Sequence, residues 1–211
     1  MSHILIPIDH ETVAGELLVP AHCTGLIVFV HGSGSSRLSP RNQQVAADLR
    51  HSGFATLLFD LLTPAEAERQ ELVFDINLLA ERMHSVLAWV GRQPQVATLP
   101  IGLFGASTGS AAALLAAAEP HHLVGAVVSR GGRPDLVIPS LPRVTAPTLL
   151  IVGGDDPIVL DLNERAARFL TGCVHEIRVI SGATHLFEEE GAMAEVSAAA
   201  IHWFETHLKA P

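Results

Sequence analysis

Apolar residues follow two patterns along the chain: short continuous runs, and longer stretches in which they recur with helical spacing. The run at residues 26–30, Leu-Ile-Val-Phe-Val, is typical of a central strand that is buried on both faces. Runs of the same kind predict further strands at residues 4–8, 15–19, 55–60, 101–104, 124–129, 148–152 and 176–180. A turn around Glu11 and Thr12 is expected to join the first two strands.

Helices are predicted between these runs, where apolar residues stand three and four positions apart. One helix is expected to begin at Pro40, because proline fits the first helical turn, and to end at Gly53. Further helices are predicted at residues 76–90, 111–118, 160–170 and 192–208. Residues 61–72, which are rich in Glu and Ala, are expected to form a loop.

The order of these elements indicates the fold. Strands and helices alternate, which predicts an α/β fold with a mostly parallel central sheet of about eight strands and helices on both faces. No internal repeat or low-complexity linker interrupts the pattern, so we expect a single domain over residues 1–211. The loops that follow the carboxyl ends of parallel strands are where ligands gather in such folds.

Composition and charge narrow the class of partner. The chain is 48% hydrophobic and 17% charged, which is typical of a globular protein. Its net charge of −9 offers phosphates no basic surface, so no nucleic-acid partner is expected. No secretory leader and no apolar run long enough to span a bilayer is present, which favours a cytoplasmic location without a membrane partner. The expected partner is a small-molecule substrate, and the protein is expected to be a monomer or a homodimer.

The cysteines and histidines do not form a metal-binding pattern. Cys23 and Cys173 lack CxxC spacing and are expected to be free thiols in a reducing compartment. The chain has 12 histidines, but no HExxH or similar motif places their side chains on one face. The adjacent side chains of His121 and His122 diverge in either a helix or a strand. We therefore expect neither a metal ion nor another cofactor.

The clearest chemical motif is Gly105-Ala106-Ser107-Thr108-Gly109, which matches G-x-S-x-G. It stands between a predicted strand and an Ala-rich helix, where a tight turn exposes the serine at a strained backbone position. Small neighbours let other backbone segments pass close by, and the helix N-terminus stabilises negative charge. This context favours Ser107 as a nucleophile over a tight turn without chemistry.

Candidates for the acid and the base follow Ser107 along the chain. Asp155 and Asp156 stand directly after the strand predicted at residues 148–152, and His185 follows the strand at residues 176–180. Both loops are therefore expected at the edge of the sheet that carries Ser107. Serine, acid, histidine is the chain order of one large group of serine hydrolases.

These residues resemble the α/β-hydrolase superfamily, specifically its small, lidless, dienelactone-hydrolase-like members. The resemblance covers nearly the whole chain, from the His-Gly turn at residues 31–32 to the last helix. The family's acid loop, G-x-x-D-x-x-V, matches Gly153, Asp156 and Val159, which selects Asp156 and leaves Asp155 to cap or brace the loop. Its histidine loop, G-x-x-H, matches residues 182–185 and gives a triad of Ser107, Asp156 and His185.

The resemblance also implies an oxyanion hole. The turn at residues 31–34, His-Gly-Ser-Gly, is similar to the family's H-G-x turn after the third strand. By that match the backbone N–H groups of Ser33 and Thr108 would bind the oxyanion, and His31 would brace its loop by hydrogen bonds instead of acting as a base.

Two departures bear on the substrate. Dienelactone hydrolases use a cysteine nucleophile, whereas residue 107 is serine, which favours ordinary ester or thioester chemistry over dienelactone. Residues 132–147 form a short segment where many hydrolases insert a helical lid, which implies an open site.

Arginines at four positions lie near this predicted edge: Arg37, Arg41, Arg130 and Arg133. They would either clamp a carboxylate of the substrate or form ion pairs that brace the loops, with Asp135 as one partner.

The favoured function is that of a serine hydrolase which cleaves a small ester, thioester or lactone through an acyl-enzyme on Ser107, as a carboxylesterase-like enzyme does. An acyltransferase or a C–C hydrolase with the same triad remains an alternative, because one fold and one triad serve many reactions. A ligand-binding protein that has a hydrolase fold without turnover is the alternative from another class.

Overall fold

The computed structural model of the protein describes residues 2–8, 11–119 and 124–209. Within these ranges eight strands form one sheet. Their bounds are β1 Ser2–Ile8, β2 Glu11–Leu18, β3 Gly25–Val30, β4 Phe54–Phe59, β5 Ile101–Ala106, β6 Val124–Arg130, β7 Thr148–Gly153 and β8 His175–Ile180. The strands lie in the order β1-β2-β4-β3-β5-β6-β7-β8. The β1–β2 and β2–β4 pairs are antiparallel and the others are parallel.

Helices cover both faces of this sheet. Their bounds are α1 Pro40–His51, α2 Pro64–Ala67, α3 Gln70–Val73, α4 Ile76–Val90, α5 Thr108–Ala117, α6 Pro157–Ala167 and α7 Ala192–His207, with a 3₁₀-helical segment at Pro134–Arg143. One apolar layer packs the sheet against α4, α5 and α6, and a second packs it against α1 and α7. The predicted fold class, a mostly parallel sheet between two layers of helices, is confirmed. No helix in these ranges combines the length and apolar character needed to cross a bilayer.

The centre of the sheet is built as the apolar run at residues 26–30 predicts. All six residues of β3 are buried, and the strand pairs in parallel with β4 on one side and β5 on the other. A strand covered on both faces has no solvent side, which is why its sequence is continuously apolar. The carboxyl ends of β3, β5, β6 and β7 meet at one edge, and the loops that carry the predicted site follow these ends.

The turn predicted around Glu11 and Thr12 is wrong. Both residues lie in β2, where Glu11 pairs with Ile8 and Thr12 pairs with Pro7 of β1. Glu11 and Thr12 are exposed while Val13 is buried, so the strand begins with polar residues that a hydrophobicity pattern attributes to a turn. The residues that join β1 to β2 lie outside the described ranges.

The loop predicted at residues 61–72 is also wrong, because this segment forms the two short helices α2 and α3. A capping box starts α2: the Glu66 N–H donates to the Thr63 side chain at 3.3 Å, and the Thr63 N–H donates to the Glu66 carboxylate at 2.8 Å. Pro64 follows the cap, in the first turn. Helices of four residues are too short to show an apolar period. The capping-box residues were therefore the signal in the sequence that could have predicted α2.

Candidate active site

Ser107 occupies a sharp turn between β5 and α5. Its φ of 50° and ψ of −126° are strained for a residue other than glycine. Its carbonyl oxygen accepts three hydrogen bonds, from Ser110 N–H at 3.1 Å, from the Ser110 hydroxyl at 2.7 Å and from Arg133 N–H at 3.2 Å. Its own N–H donates to the Arg130 carbonyl at 3.1 Å. These contacts hold the strained backbone in place, with the half-buried side chain at the edge of the sheet.

Both glycines of the G-x-S-x-G motif are required by close backbone contacts. A Cβ atom on Gly109 would lie 2.3 Å from the carbonyl oxygens of both Val30 and His31. A Cβ atom on Gly105 would lie 2.5 Å from the Cα atom of Ser110. The turn can therefore form only where the backbone has no side chain at these two positions, as the motif predicts.

His185 and Asp156, the predicted base and acid, are in direct contact. The Nδ1 atom of His185 lies 2.7 Å from the Oδ2 atom of Asp156, and their side chains are 39% and 14% exposed. The other carboxylate oxygen, Oδ1, accepts the N–H of Val159 at 3.4 Å and so caps α6. Because each oxygen has its own partner, the carboxylate is fixed in orientation. With Nδ1 facing the acid, Nε2 is the imidazole nitrogen that remains for proton transfer.

The structure distinguishes the two adjacent aspartates. Asp156 contacts His185, whereas Asp155 is exposed. Asp155 contributes to the loop through its backbone N–H, which donates to the Ala183 carbonyl at 2.9 Å. The cap that the sequence offered as one role for Asp155 belongs to Asp156.

The imidazole of His185 lies beside the Ser107 turn. A Cβ atom on Gly131 would lie 3.5 Å from the Cε1 atom of His185, and Gly131 directly follows Arg130, whose carbonyl accepts the Ser107 N–H. Among the described residues, no hydrogen bond joins the Ser107 hydroxyl to His185. Such bonds are commonly long without substrate and shorten when it binds.

His31 has no free ring nitrogen. Its Nε2 atom accepts the N–H of Leu61 at 3.0 Å, so the ring proton is on Nδ1, which donates to the carbonyl of Gly32 at 3.0 Å. The residue is 9% exposed, and burial lowers its pKa. This agrees with a bracing role for His31, in which the neutral ring ties the turn after β3 to the turn after β4.

We expect acid to destabilise the protein through His31. The unfolded chain takes up a proton near the ordinary pKa of 6.5, while the folded protein resists protonation, so the free energy of unfolding should fall as the pH drops below 6.5. The contribution amounts to at most about 1.4 kcal/mol per pH unit. Urea denaturation at a series of pH values measures it, with His31→Gln as the comparison because a neutral amide keeps both hydrogen-bonding roles. An equal slope in both proteins below pH 6.5 would contradict this account.

The two predicted oxyanion donors come together, but one of them is already engaged. The N–H of Ser33 donates to the Oγ1 atom of Thr108 at 2.8 Å. Thr108 is buried and is the first residue of α5, where helix N–H groups have no partner within the helix. The Ser33 N–H is therefore less accessible than the sequence suggests.

A cavity of about 340 Å³ adjoins this turn. Residues of the turn after β3 form one wall, and apolar side chains from the segment after β4 and from α4 form much of the rest. Its apolar lining residues include Leu61, Leu62, Val73 and Leu79. The cavity offers room for an uncharged part of a substrate next to the turn.

Three of the four arginines are held in ion pairs. The pairs are Arg37 with Asp60, Arg41 with Glu188 at 3.1 Å, and Arg133 with Asp135 through two hydrogen bonds of 2.8 and 2.9 Å. These contacts favour the loop-bracing interpretation for these residues. The Asp135 partner expected from the sequence is the one that Arg133 contacts.

Arg130 is the exception. It ends β6, is 7% exposed, and its guanidinium has no carboxylate partner among the described residues. The guanidinium carbon lies 5.8 Å from the centre of the Phe187 ring, two residues after His185. Burial, with a smaller effect from the charge of Arg41, lowers the pKa of Arg130 to about 10, so it remains a cation at neutral pH.

Asn163 is a supporting residue that no sequence motif indicates. It is fully buried on α6, and its amide donates to the carbonyls of Gly132 at 2.9 Å and Val159 at 2.8 Å. It thereby ties the helix that Asp156 caps to the loop after β6.

The chain is similar in sequence to known proteins over most of its length. A model of the dienelactone hydrolase family matches residues 16–209. A Mycobacterium tuberculosis protein named "Putative phosphoribosyl transferase" is 57% identical over 199 residues, which are 94% of this chain and 45% of that protein. The chain thus spans about half the length of the curated relatives it matches.

Solved structures agree with the fold. A dienelactone hydrolase from Anabaena variabilis is 48% identical with a TM-score of 0.95, over 99% of this chain and 98% of that one. Est1E from Butyrivibrio proteoclasticus is 16% identical with a TM-score of 0.83, over 98% of each chain, and shows likeness of fold alone. The predicted resemblance to small α/β-hydrolases is confirmed by these matches.

Proposed function

The chain belongs to the dienelactone hydrolase family, and from that premise we propose that it is a serine hydrolase acting on a small ester, thioester or lactone. The observation that carries the proposal is the 2.7 Å contact between His185 Nδ1 and Asp156 Oδ2, beside a strained serine turn. An acid that orients an imidazole next to a serine is the arrangement that activates a hydroxyl.

The first half of the reaction acylates Ser107. Its hydroxyl proton passes to Nε2 of His185 while its oxygen bonds to the carbonyl carbon, and the carbonyl electron pair moves onto the oxygen. Asp156 holds the imidazole in the correct tautomer and stabilises its positive charge. The oxyanion forms at the N-terminus of α5, next to the turn that carries Ser33. When the tetrahedral intermediate collapses, the bond to the leaving group breaks and His185 returns the proton to that group.

The second half releases the acyl group. A water molecule loses a proton to Nε2 of His185 and attacks the acyl carbon. Collapse of the second intermediate breaks the bond to Ser107, whose oxygen recovers the proton. The products are a carboxylic acid and an alcohol or thiol, or a hydroxy acid where the substrate is a lactone.

Hydrolysis and acyl transfer differ only in the acceptor. The purified protein should hydrolyse short-chain nitrophenyl esters, thioesters or simple lactones, and product analysis with a competing alcohol separates the two reactions. Formation of the free acid as the main product supports the hydrolase. Predominant transfer to the alcohol would favour an acyltransferase. Tight ligand binding without turnover, retained in Ser107→Ala, would favour a binding protein.

We further propose that Arg130 binds an anionic group of the substrate. A buried cation without a counter-charge is costly, and a carboxylate or phosphate on the substrate would supply that charge. The pairing of Arg37, Arg41 and Arg133 leaves Arg130 as the member of the predicted set that supports this role.

Replacement of Arg130 tests this role. In Arg130→Gln, we expect kcat/KM to fall about 10- to 100-fold for the half-ester of a dicarboxylic acid and to stay unchanged for a neutral ester of similar size, because a charge-assisted hydrogen bond contributes about 1.5–3 kcal/mol. Arg133→Gln is the matched control, since its side chain is paired with Asp135. An equal loss for both esters, or for neither, would contradict an anion-binding role.

A further inference from the structure

The hydroxyl of Thr108 lies against one of the two predicted oxyanion donors. The N–H of Ser33, one of the two donors that the family resemblance implies, already donates to Thr108 Oγ1 at 2.8 Å. One N–H group makes a strong, linear hydrogen bond to only one acceptor. An oxyanion that required the Ser33 N–H directly would first have to displace the Thr108 hydroxyl.

The contact joins two segments that other contacts also hold in place. Thr108 is 5% exposed and opens α5 directly after the strained Ser107. The turn that carries Ser33 packs against the nucleophile, since a Cβ atom on Gly32 would lie 2.9 Å from Ser107 Cβ. The same turn is tied down by both ring nitrogens of His31. The position of the Thr108 hydroxyl is therefore determined by the fold.

The proton of the Thr108 hydroxyl has no hydrogen-bond acceptor in the part of the chain that the structure describes. Thr108 Oγ1 acts as an acceptor towards Ser33, and within the described residues no acceptor takes its own O–H. A buried hydroxyl that accepts a hydrogen bond retains one proton to donate. Its backbone N–H, on the same residue at the helix N-terminus, is likewise without a helix partner.

We propose that the Thr108 hydroxyl is itself an oxyanion donor and that the Ser33 N–H acts through it. The inference rests on the proposed serine hydrolase chemistry. As Ser107 Oγ bonds to the carbonyl carbon, the oxygen that gains the electron pair accepts hydrogen bonds from the N–H and the O–H of Thr108. No covalent bond to Thr108 forms, and the serine proton still passes to His185.

Donation by the Thr108 hydroxyl is favoured over displacement of that hydroxyl from the Ser33 N–H. A hydroxyl that accepts an N–H bond becomes a stronger donor, because hydrogen bonds in a chain polarise one another. Its bond to an anionic oxygen is charge-assisted and roughly twice as strong as one to a neutral carbonyl, so it gains strength as the transition state develops. The donor is in place before the reaction, which is the condition for strong electrostatic stabilisation.

Two substitutions separate the hydroxyl from the rest of the side chain. Thr108→Val keeps the shape and removes the donor, and we expect kcat to fall about 10²–10³-fold with KM changed by less than about threefold. Thr108→Ser keeps the hydroxyl and should retain most of kcat. Thr148→Val is the matched control, because Thr148 is also buried with a hydrogen-bonded hydroxyl but lies at the amino end of β7.

Inhibitor binding tells whether Thr108→Val acts on the transition state. A boronic acid that forms a tetrahedral adduct with Ser107 should bind Thr108→Val more weakly by about the same factor as kcat falls, while the affinity of the product carboxylate stays unchanged. Unchanged product affinity also shows that the variant is folded.

The outcomes distinguish this inference from the proposed function. Wild-type kcat and boronic-acid affinity in Thr108→Val would overturn the inference and leave the hydrolase intact. A rise in kcat would show that the hydroxyl only blocks the Ser33 N–H, and would overturn it as well. A wild-type protein with neither turnover nor boronic-acid binding would instead overturn the proposed function.

Discussion

Ser107→Ala is expected to lower kcat for an ester substrate about 10⁶-fold, the loss typical of removing an activated serine nucleophile. The fold should be preserved, because alanine carries the same backbone strain as serine at φ 50° and the three hydrogen bonds to the residue 107 carbonyl are made by backbone and Ser110 atoms. Substrate affinity should change little, since the hydroxyl forms its bond to the substrate only during the reaction. Steady-state kinetics and the dissociation constant of a product carboxylate measure the two quantities.

Ser181→Ala is the control for this prediction. Ser181 is exposed and lies between β8 and His185, on the loop that carries the predicted base. It should retain wild-type kcat. A Ser107→Ala protein that keeps more than about a hundredth of wild-type activity would contradict acyl-enzyme chemistry at Ser107. The residual activity of an enzyme whose triad has lost a member lies far lower.

Asp156→Asn is expected to lower kcat about 10⁴-fold. The asparagine amide can present an N–H to Nδ1 of His185, which stabilises the tautomer with its proton on Nε2 and leaves no base for Ser107. Stability should hold, because the asparagine oxygen can accept the Val159 N–H and asparagine is as good an N-cap as aspartate. The loss should therefore appear in kcat and not in the amount of folded protein.

The neighbouring Asp155→Asn makes the matched comparison. It removes the same charge from an exposed side chain one residue away, and its loop contact is made by backbone atoms that the substitution leaves in place. Wild-type kcat in Asp155→Asn together with the large loss in Asp156→Asn supports the assignment. The reverse result, or equal losses, would show that the acid has been assigned to the wrong residue.

Site residues can be predicted from the sequence when their roles follow from their order along the chain. Ser107, Asp156 and His185 stand after strands that the apolar runs predict, and the ends of parallel strands share one edge. The choice between Asp155 and Asp156 required the family pattern, because a one-residue difference in a loop leaves no periodic signal. The structure agrees with that choice through the contact with His185.

Other features depend on contacts between residues far apart in the chain. The Ser33–Thr108 hydrogen bond joins residues 75 positions apart, and the Asn163 bond to Gly132 spans 31. No local pattern encodes either one. The four arginines look alike in sequence, and only tertiary packing shows that Arg130 has no carboxylate partner among the described residues.

Intact-mass labelling with a fluorophosphonate probe tests directly whether Ser107 is an activated nucleophile. Such a probe forms a covalent adduct only with a serine that a neighbouring base has activated. We expect one adduct on the wild-type protein, none on Ser107→Ala and much slower labelling of His185→Ala. A well-folded wild-type protein without an adduct, or with an adduct that persists in Ser107→Ala, would contradict it.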